Sequence, residues 1–191
     1  MNEKDEKTLV SLAQSGDTNA FKELVLKYEP QVARTVVGLL GPGPEAEDVG
    51  QDTFIKFYGA LSRFRGESSV GTYLTRIAIN LSLNVIRKRK RTRMVFFRKK
   101  NFTAEDTRDL KNPMNPLEAQ DLITKGLQMI EYKFRMVLIL RYMNGYTTKE
   151  TAEILNIPQG TVMSRVSRGM EKIEKILKPL YEGTVKEKGK K

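Results

Sequence analysis

The chain has 191 residues, 34 Lys+Arg against 23 Asp+Glu for a formal net charge of +11, and neither cysteine nor histidine. The charge favours a polyanionic partner, nucleic acid first, while the missing residue types exclude disulfides, thiolate and imidazole metal ligands and Ser-His nucleophile pairs. Apolar runs such as "MVLIL" at Met136 to Leu140 fall far short of the roughly 18 residues a membrane span needs, and "MNEKDEKTLV" lacks a secretion-signal pattern, so a cytoplasmic protein without membrane insertion, cofactor or metal is expected.

Apolar residues recur every three or four positions and never alternate for long, which predicts an all-α fold. Leu9, Leu12 and Ala13, then Phe21, Leu24, Val25 and Tyr28, give two helices separated by "SGDTN", where Gly16 stops one and Asp17 or Thr18 caps the next. "LGPGPEAED" makes a turn, after which Glu45, Glu47 and Asp48 suit the positive end of a helix that buries Val49, Thr53 or Phe54, Phe57 and Leu61. "RFRGESSVG" interrupts again, and a long helix from about Thr72 turns Leu74, Ile77, Ala78, Leu81, Val85 and Ile86 inward. It runs into "RKRKRTRMVFFRKK", nine basic residues and no acid.

"NFTAEDTRDLKNPMNP" has two prolines, three asparagines and little periodicity, the composition of a flexible linker. The chain thus divides into a helical domain over 1–100, a linker over 101–116, a second helical domain over 117–180 and a basic tail over 181–191 expected to fray. Helices are predicted at 118–130, 132–143, 147–155 and 158–178.

The last two, with the tight "NIPQ" turn between them, have the proportions of a helix-turn-helix. Val162, Val166, Met170, Ile173 and Leu177 repeat at helical spacing and form one buried stripe. Thr161, Ser164, Arg165, Arg168 and Lys172 fall outside it. No carboxylate lies between Gln159 and Met170. Small hydroxyls let a backbone approach the major groove, and arginine reaches guanine acceptors or phosphates. Thr147 or Thr148 could hold a phosphate at the start of the preceding helix, and Arg141 could stretch to the DNA backbone. An ordinary amphipathic hairpin shares the same spacing, so the polar face alone leaves both readings open.

"GDTNAF", "AEDVGQDTFIKFY", "FRGESSVGTYLTRIAIN" and "NGYTTKETAEILNIPQGTVMSRVSRG" resemble, in order and spacing, bacterial sigma factors of the extracytoplasmic-function group, especially the envelope-stress type. The resemblance covers about residues 8–95 and 117–178. It implies a transcription initiation factor, not an enzyme, that joins core RNA polymerase, directs it to promoter DNA and helps melt it. Asp48, Gln51 and Asp52 match the group's polymerase-docking motif. Phe64, Arg65, Tyr73, Arg76 and Asn80 match the region that handles the melted upstream-ten element. An aromatic pocket and an amide suit an unstacked base, with Lys56, Arg65 and Arg76 on phosphates. Core packing is an equal reading of Tyr73. Arg141, Thr161, Ser164, Ser167 and Arg168 align with positions that touch the upstream-thirty-five element, Arg165 joining them from the periodicity. Ser167 enters through the resemblance, since its spacing puts it at the flank.

Several positions depart from the group's pattern. Tyr73 stands where Trp is usual, Val70 where Phe is common, and Met163 where Lys or Arg is usual, changes expected to bear on base preference. An anti-sigma factor, often membrane-anchored, is implied as a further partner, and a monomer is expected when the protein is free. Two other functions are weighed: a stand-alone helix-turn-helix repressor or activator, and a nuclease using Asp48 and Asp52 as metal ligands. The first domain's own basic and aromatic face opposes the former; the lack of a locally placed third ligand opposes the latter.

Overall fold

A computed structural model describes the backbone over 5–97 and 116–188, and side chains within 5–92 and 122–178. Its helices are α1 (Glu6–Gln14), α2 (Thr18–Leu40), α3 (Pro44–Ala60), α4 (Val70–Phe97), α5 (Pro116–Met129), α6 (Tyr132–Leu138), α7 (Thr148–Leu155) and α8 (Gln159–Lys188), with a 3-10 turn at Leu61–Arg63 and a π turn at Ile139–Met143. No strand occurs among the described residues, and the all-α reading holds. The linker expected over 101–116 lies outside the described residues except for Pro116, which opens α5.

Helix ends follow the local chemistry. Gly16 takes φ +98° to stop α1, and the Asp17 carboxylate then accepts from the Asn19 and Ala20 N–H groups at 2.8 and 3.2 Å, satisfying donors that a helix start leaves free. Gly43 and Pro44 open α3, with Glu45 and Glu47 in its first turn. Between α7 and α8, Asn156 adopts the left-handed conformation (φ 51°, ψ 52°). The Ile157 N–H returns to the Ala152 carbonyl at 3.0 Å, a Schellman closure that reverses the chain in the short span a helix-turn-helix requires.

In the first half α2 packs on α1, α3 and α4; in the second, α8 packs on α5, α6 and α7. The two halves also pack on each other, α2 against α5 and α6 and α4 against α7, and their buried apolar residues form one continuous core. Sequence suggested two helical domains joined by a linker and said nothing of how they pack on each other. It also missed three local features. Helix α4 starts at Val70, ahead of the expected Thr72, and α8 continues through most of the expected fraying tail to Lys188. In the α8 stripe Met170 is 46% exposed; Gly169 takes the buried place, close enough to α6 that an added Cβ would lie 3.1 Å from Leu138 Cδ1. Position 169 falls seven residues after Val162 and four before Ile173, on the buried side of the helix, and the close helix approach selects the residue without a side chain there.

Candidate nucleic-acid interface

The loop between α3 and α4 is fixed from α1. Gln14 Nε2 donates to the Leu61 and Phe64 carbonyls, both at 2.9 Å. The Glu6 carboxylate accepts the Val70 N–H at 3.0 Å, capping α4, and also the Tyr28 hydroxyl. Burial, reinforced by Glu6, pushes the Tyr28 phenol well above its ordinary range. Phe64 and Tyr73 meet edge-on with ring centroids 5.2 Å apart, and each lies 5.9 Å from the buried Phe57 ring. Both are half-buried, so each serves the core with one side and faces a cleft of about 680 Å³ with the other. Arg63, Arg65 and Arg76 line the same cleft. An adjoining cleft of about 490 Å³ holds Asn80 beside Arg76. Lys56 is exposed on α3 and stands away from both clefts. Val70 does not face DNA, since it is fully buried (0% exposed) in the core; its departure from the group's aromatic is a packing change.

On α3, Asp48, Gln51 and Asp52 are all exposed on one face, because Val49, Thr53 and Phe57 are buried on the other. The face continues into Ile55, 66% exposed, and Tyr58, 54% exposed. Sequence reasoning passed over these two, although Ile55 falls off the buried stripe and was legible as an apolar residue with no core to enter.

In the helix-turn-helix, Thr147 caps α7. Its hydroxyl accepts the Glu150 N–H at 3.2 Å and donates to Glu150 Oε2 at 2.7 Å, while its own N–H reaches the same oxygen at 2.7 Å. The hydrogen bonds from Thr147 hold the Glu150 carboxyl below its usual value. Thr147 is therefore occupied, with a carboxylate where a phosphate was expected. On α8, Ser164, Ser167 and Arg168 are exposed and Thr161 and Arg165 half-buried, with Ser164 Oγ bonded to the Thr161 carbonyl at 3.1 Å. Ser167 is as accessible as Ser164, which the periodicity understated. Met163, 65% exposed, adds an apolar contact to this face. Arg141 Nη1 donates to the Tyr146 carbonyl, which ties its guanidinium to the turn before α7.

Among the described residues no cluster of three or more carboxylates could hold a metal, and no helix is long and apolar enough to cross a membrane. The family profile described as sigma-70 region 2 matches residues 24–92, and that described as sigma-70 region 4 matches residues 121–173. The chain is similar to the RNA polymerase sigma-H factor of Pseudomonas aeruginosa, with 34% identity covering 94% of this chain and 97% of that protein. It is similar to the ECF RNA polymerase sigma-E factor of Escherichia coli K12, with 33% identity covering 92% and 95%. Among solved structures it resembles the sigma factor RpoE in complex with the anti-sigma factor NepR from Bartonella quintana, with 27% identity, a TM-score of 0.68 and coverage of 83% of this chain and 96% of that one.

Proposed function

This chain belongs to the extracytoplasmic-function group of sigma-70 factors, which direct RNA polymerase to promoters, and on that premise we propose how its surfaces divide the work. Asp48, Gln51 and Asp52 dock core polymerase, with Ile55 and Tyr58 supplying the apolar centre that an acidic rim alone would lack. Phe64 and Tyr73 form the wall against which an unstacked upstream-ten base rests, Asn80 reads its edge, and Arg65 and Arg76, with Lys56 further out, take phosphates. Thr161, Ser164, Ser167 and Arg168 face the upstream-thirty-five major groove, with Arg165 and Arg141 at its margin. The domains are 1–100 and 117–180, with 101–116 as the spacer. The protein performs no catalysis of its own, acts in the cytoplasm as a monomer when free, and is restrained by an anti-sigma factor, as the RpoE relative is bound by NepR.

The observation that carries this division is the coexistence of two separate cationic faces, one on α8 free of carboxylates from Gln159 to Met170 and one around the α3–α4 loop, where the first domain's Arg63, Arg65 and Arg76 outnumber its Glu67, with an acidic and apolar face on α3 ahead of both in sequence. One reading helix alone gives a small footprint. Abortive transcription by core polymerase on a randomised promoter pool, with and without the protein, tests it. The expected result is enrichment of two spaced elements only when both proteins are present. Tight duplex binding without polymerase, and no protein-dependent initiation, would instead establish a stand-alone repressor or activator.

A further inference from the structure

The α3–α4 loop carries Phe64 and Arg65, yet it has little to hold itself in one shape. Among the described residues, 65–68 make no backbone–backbone hydrogen bond. Arg65, Gly66 and Glu67 are exposed, and Gly66 takes φ +70°. A segment with so few bonds of its own opens easily unless its ends are fixed from outside.

Both ends are fixed from α1. At the start of the loop, the Gln14 amide donates to the Leu61 and Phe64 carbonyls. At its finish, Glu6 Oε1 accepts the Val70 N–H that opens α4, while Glu6 Oε2 takes the Tyr28 hydroxyl of α2. The Glu6 carboxylate therefore cannot swing away without breaking two bonds. Glu6 and Gln14 are the first and last residues of α1, about 12 Å apart along a stiff helix. Leu9 and Ala13 between them are buried and seat that helix on the core. Gln14 itself is exposed, so its amide can be replaced without emptying any core volume.

We propose that Glu6 and Gln14 are positioning residues for upstream-ten recognition: α1 is a brace that holds the α3–α4 loop, and with it the Phe64 ring, in the arrangement that receives an unstacked base. The inference rests on the reading of that loop made above. Phe64 transmits the effect, since Gln14 holds its carbonyl while its ring meets Phe57 and Tyr73. The base binds the braced loop, and apparent affinity falls with the fraction of protein in which the loop is braced.

The test uses holoenzyme made with the full chain and a forked promoter, recovered from the randomised pool, whose upstream-ten strand is unpaired. A second fork carries abasic sites in place of the upstream-ten bases, and each affinity is taken relative to it. Gln14→Ala is expected to weaken relative binding about fivefold, as for the loss of one modest hydrogen bond, with polymerase capture and helical circular dichroism unchanged. Gln14→Glu keeps the shape without the donor and should lose as much. On the abasic fork, parent and Gln14→Ala should bind equally, which a general structural role would not produce. Parent-like binding of the intact fork by Gln14→Ala or Gln14→Glu overturns the proposal, as does an equal loss by Gln14→Ala on both forks. Asn80→Ala reports on the reading beneath it. No loss in Asn80→Ala overturns that reading and the inference together; a loss there beside parent-like Gln14→Ala overturns the inference alone.

Discussion

Replacing Arg135 by methionine tests how the second domain is held together and to its neighbour. Arg135 is 8% exposed. Its guanidinium donates to the Leu39 carbonyl, to Gln128 Oε1 at 2.6 Å, and to the Gln128 and Ile130 carbonyls at 2.8 and 2.9 Å. Three of these acceptors are backbone at the ends of α2 and α5, so no single side-chain substitution removes them. Each buried carbonyl left unpaired costs about 1–3 kcal/mol. Against this stands the desolvation of the cation: burial, helped by the Arg89 charge, pushes the Arg135 guanidinium down to about 10, and its Nε has no partner. Methionine relieves that penalty and fills part of the volume. The net loss expected is roughly 3 kcal/mol, a large share of an ordinary domain's stability. Urea unfolding followed by far-UV circular dichroism measures it, and Arg135→Lys should fall between, since one ammonium cannot serve carbonyls in several directions. A loss below about 1 kcal/mol for Arg135→Met would refute the view that this cation carries those carbonyls.

Combined alanine substitution of Asp48, Gln51 and Asp52 is expected to abolish capture by immobilised core polymerase while leaving helical content unchanged, because all three are exposed. Ile55→Asp should weaken the same capture without destabilising the fold, measured by parallel pull-down and thermal melting. Arg168→Ala should lose about 1–3 kcal/mol of discrimination at one upstream-thirty-five position, read by competition between matched and mismatched promoters. Glu150→Gln should destabilise the protein at neutral pH only. The Glu150 carboxyl titrates below its ordinary 4.5 in the folded state, so its contribution is present above that value and lost as pH falls through the lower folded one, and a melting series on both proteins should converge in acid.

Some of this was legible in residues and some was not. Asp17, Gly16 and Asn156 announce their turns because capping and positive φ are local requirements, met by few residue types. The carboxylate-free face of α8 was equally plain, since helical period and charge suffice to find it. Thr147 was misjudged because its hydroxyl has two uses, phosphate contact or helix cap, and the choice is settled by Glu150 three residues on, a capping-box signal that was present in the sequence and unused. Val70 could not be placed without knowing that Glu6 reaches it from α1. The contacts of Gly38, Gln128, Arg135 and Tyr146 were out of reach for a deeper reason: their partners lie far off in sequence across the linker, and no periodicity reports a tertiary hydrogen bond.

The chemistry of the interdomain contact explains how the packing of the two domains is defined. Gln31, Thr35, Thr75, Asn144 and Tyr146 pair with one another across it. Polar groups buried in mutual hydrogen bonds select one register, because a shifted one would leave them unpaired. On separation the same groups turn to water, which repays most of each bond, while apolar residues of the shared core such as Ile139 would be exposed. The buried Asn144 Oδ1 has no partner within this contact. The face proposed to dock polymerase, around Asp48, Gln51 and Asp52, lies on α3, away from the α2–α5 and α4–α7 seams, so polymerase could engage the first domain without displacing the second.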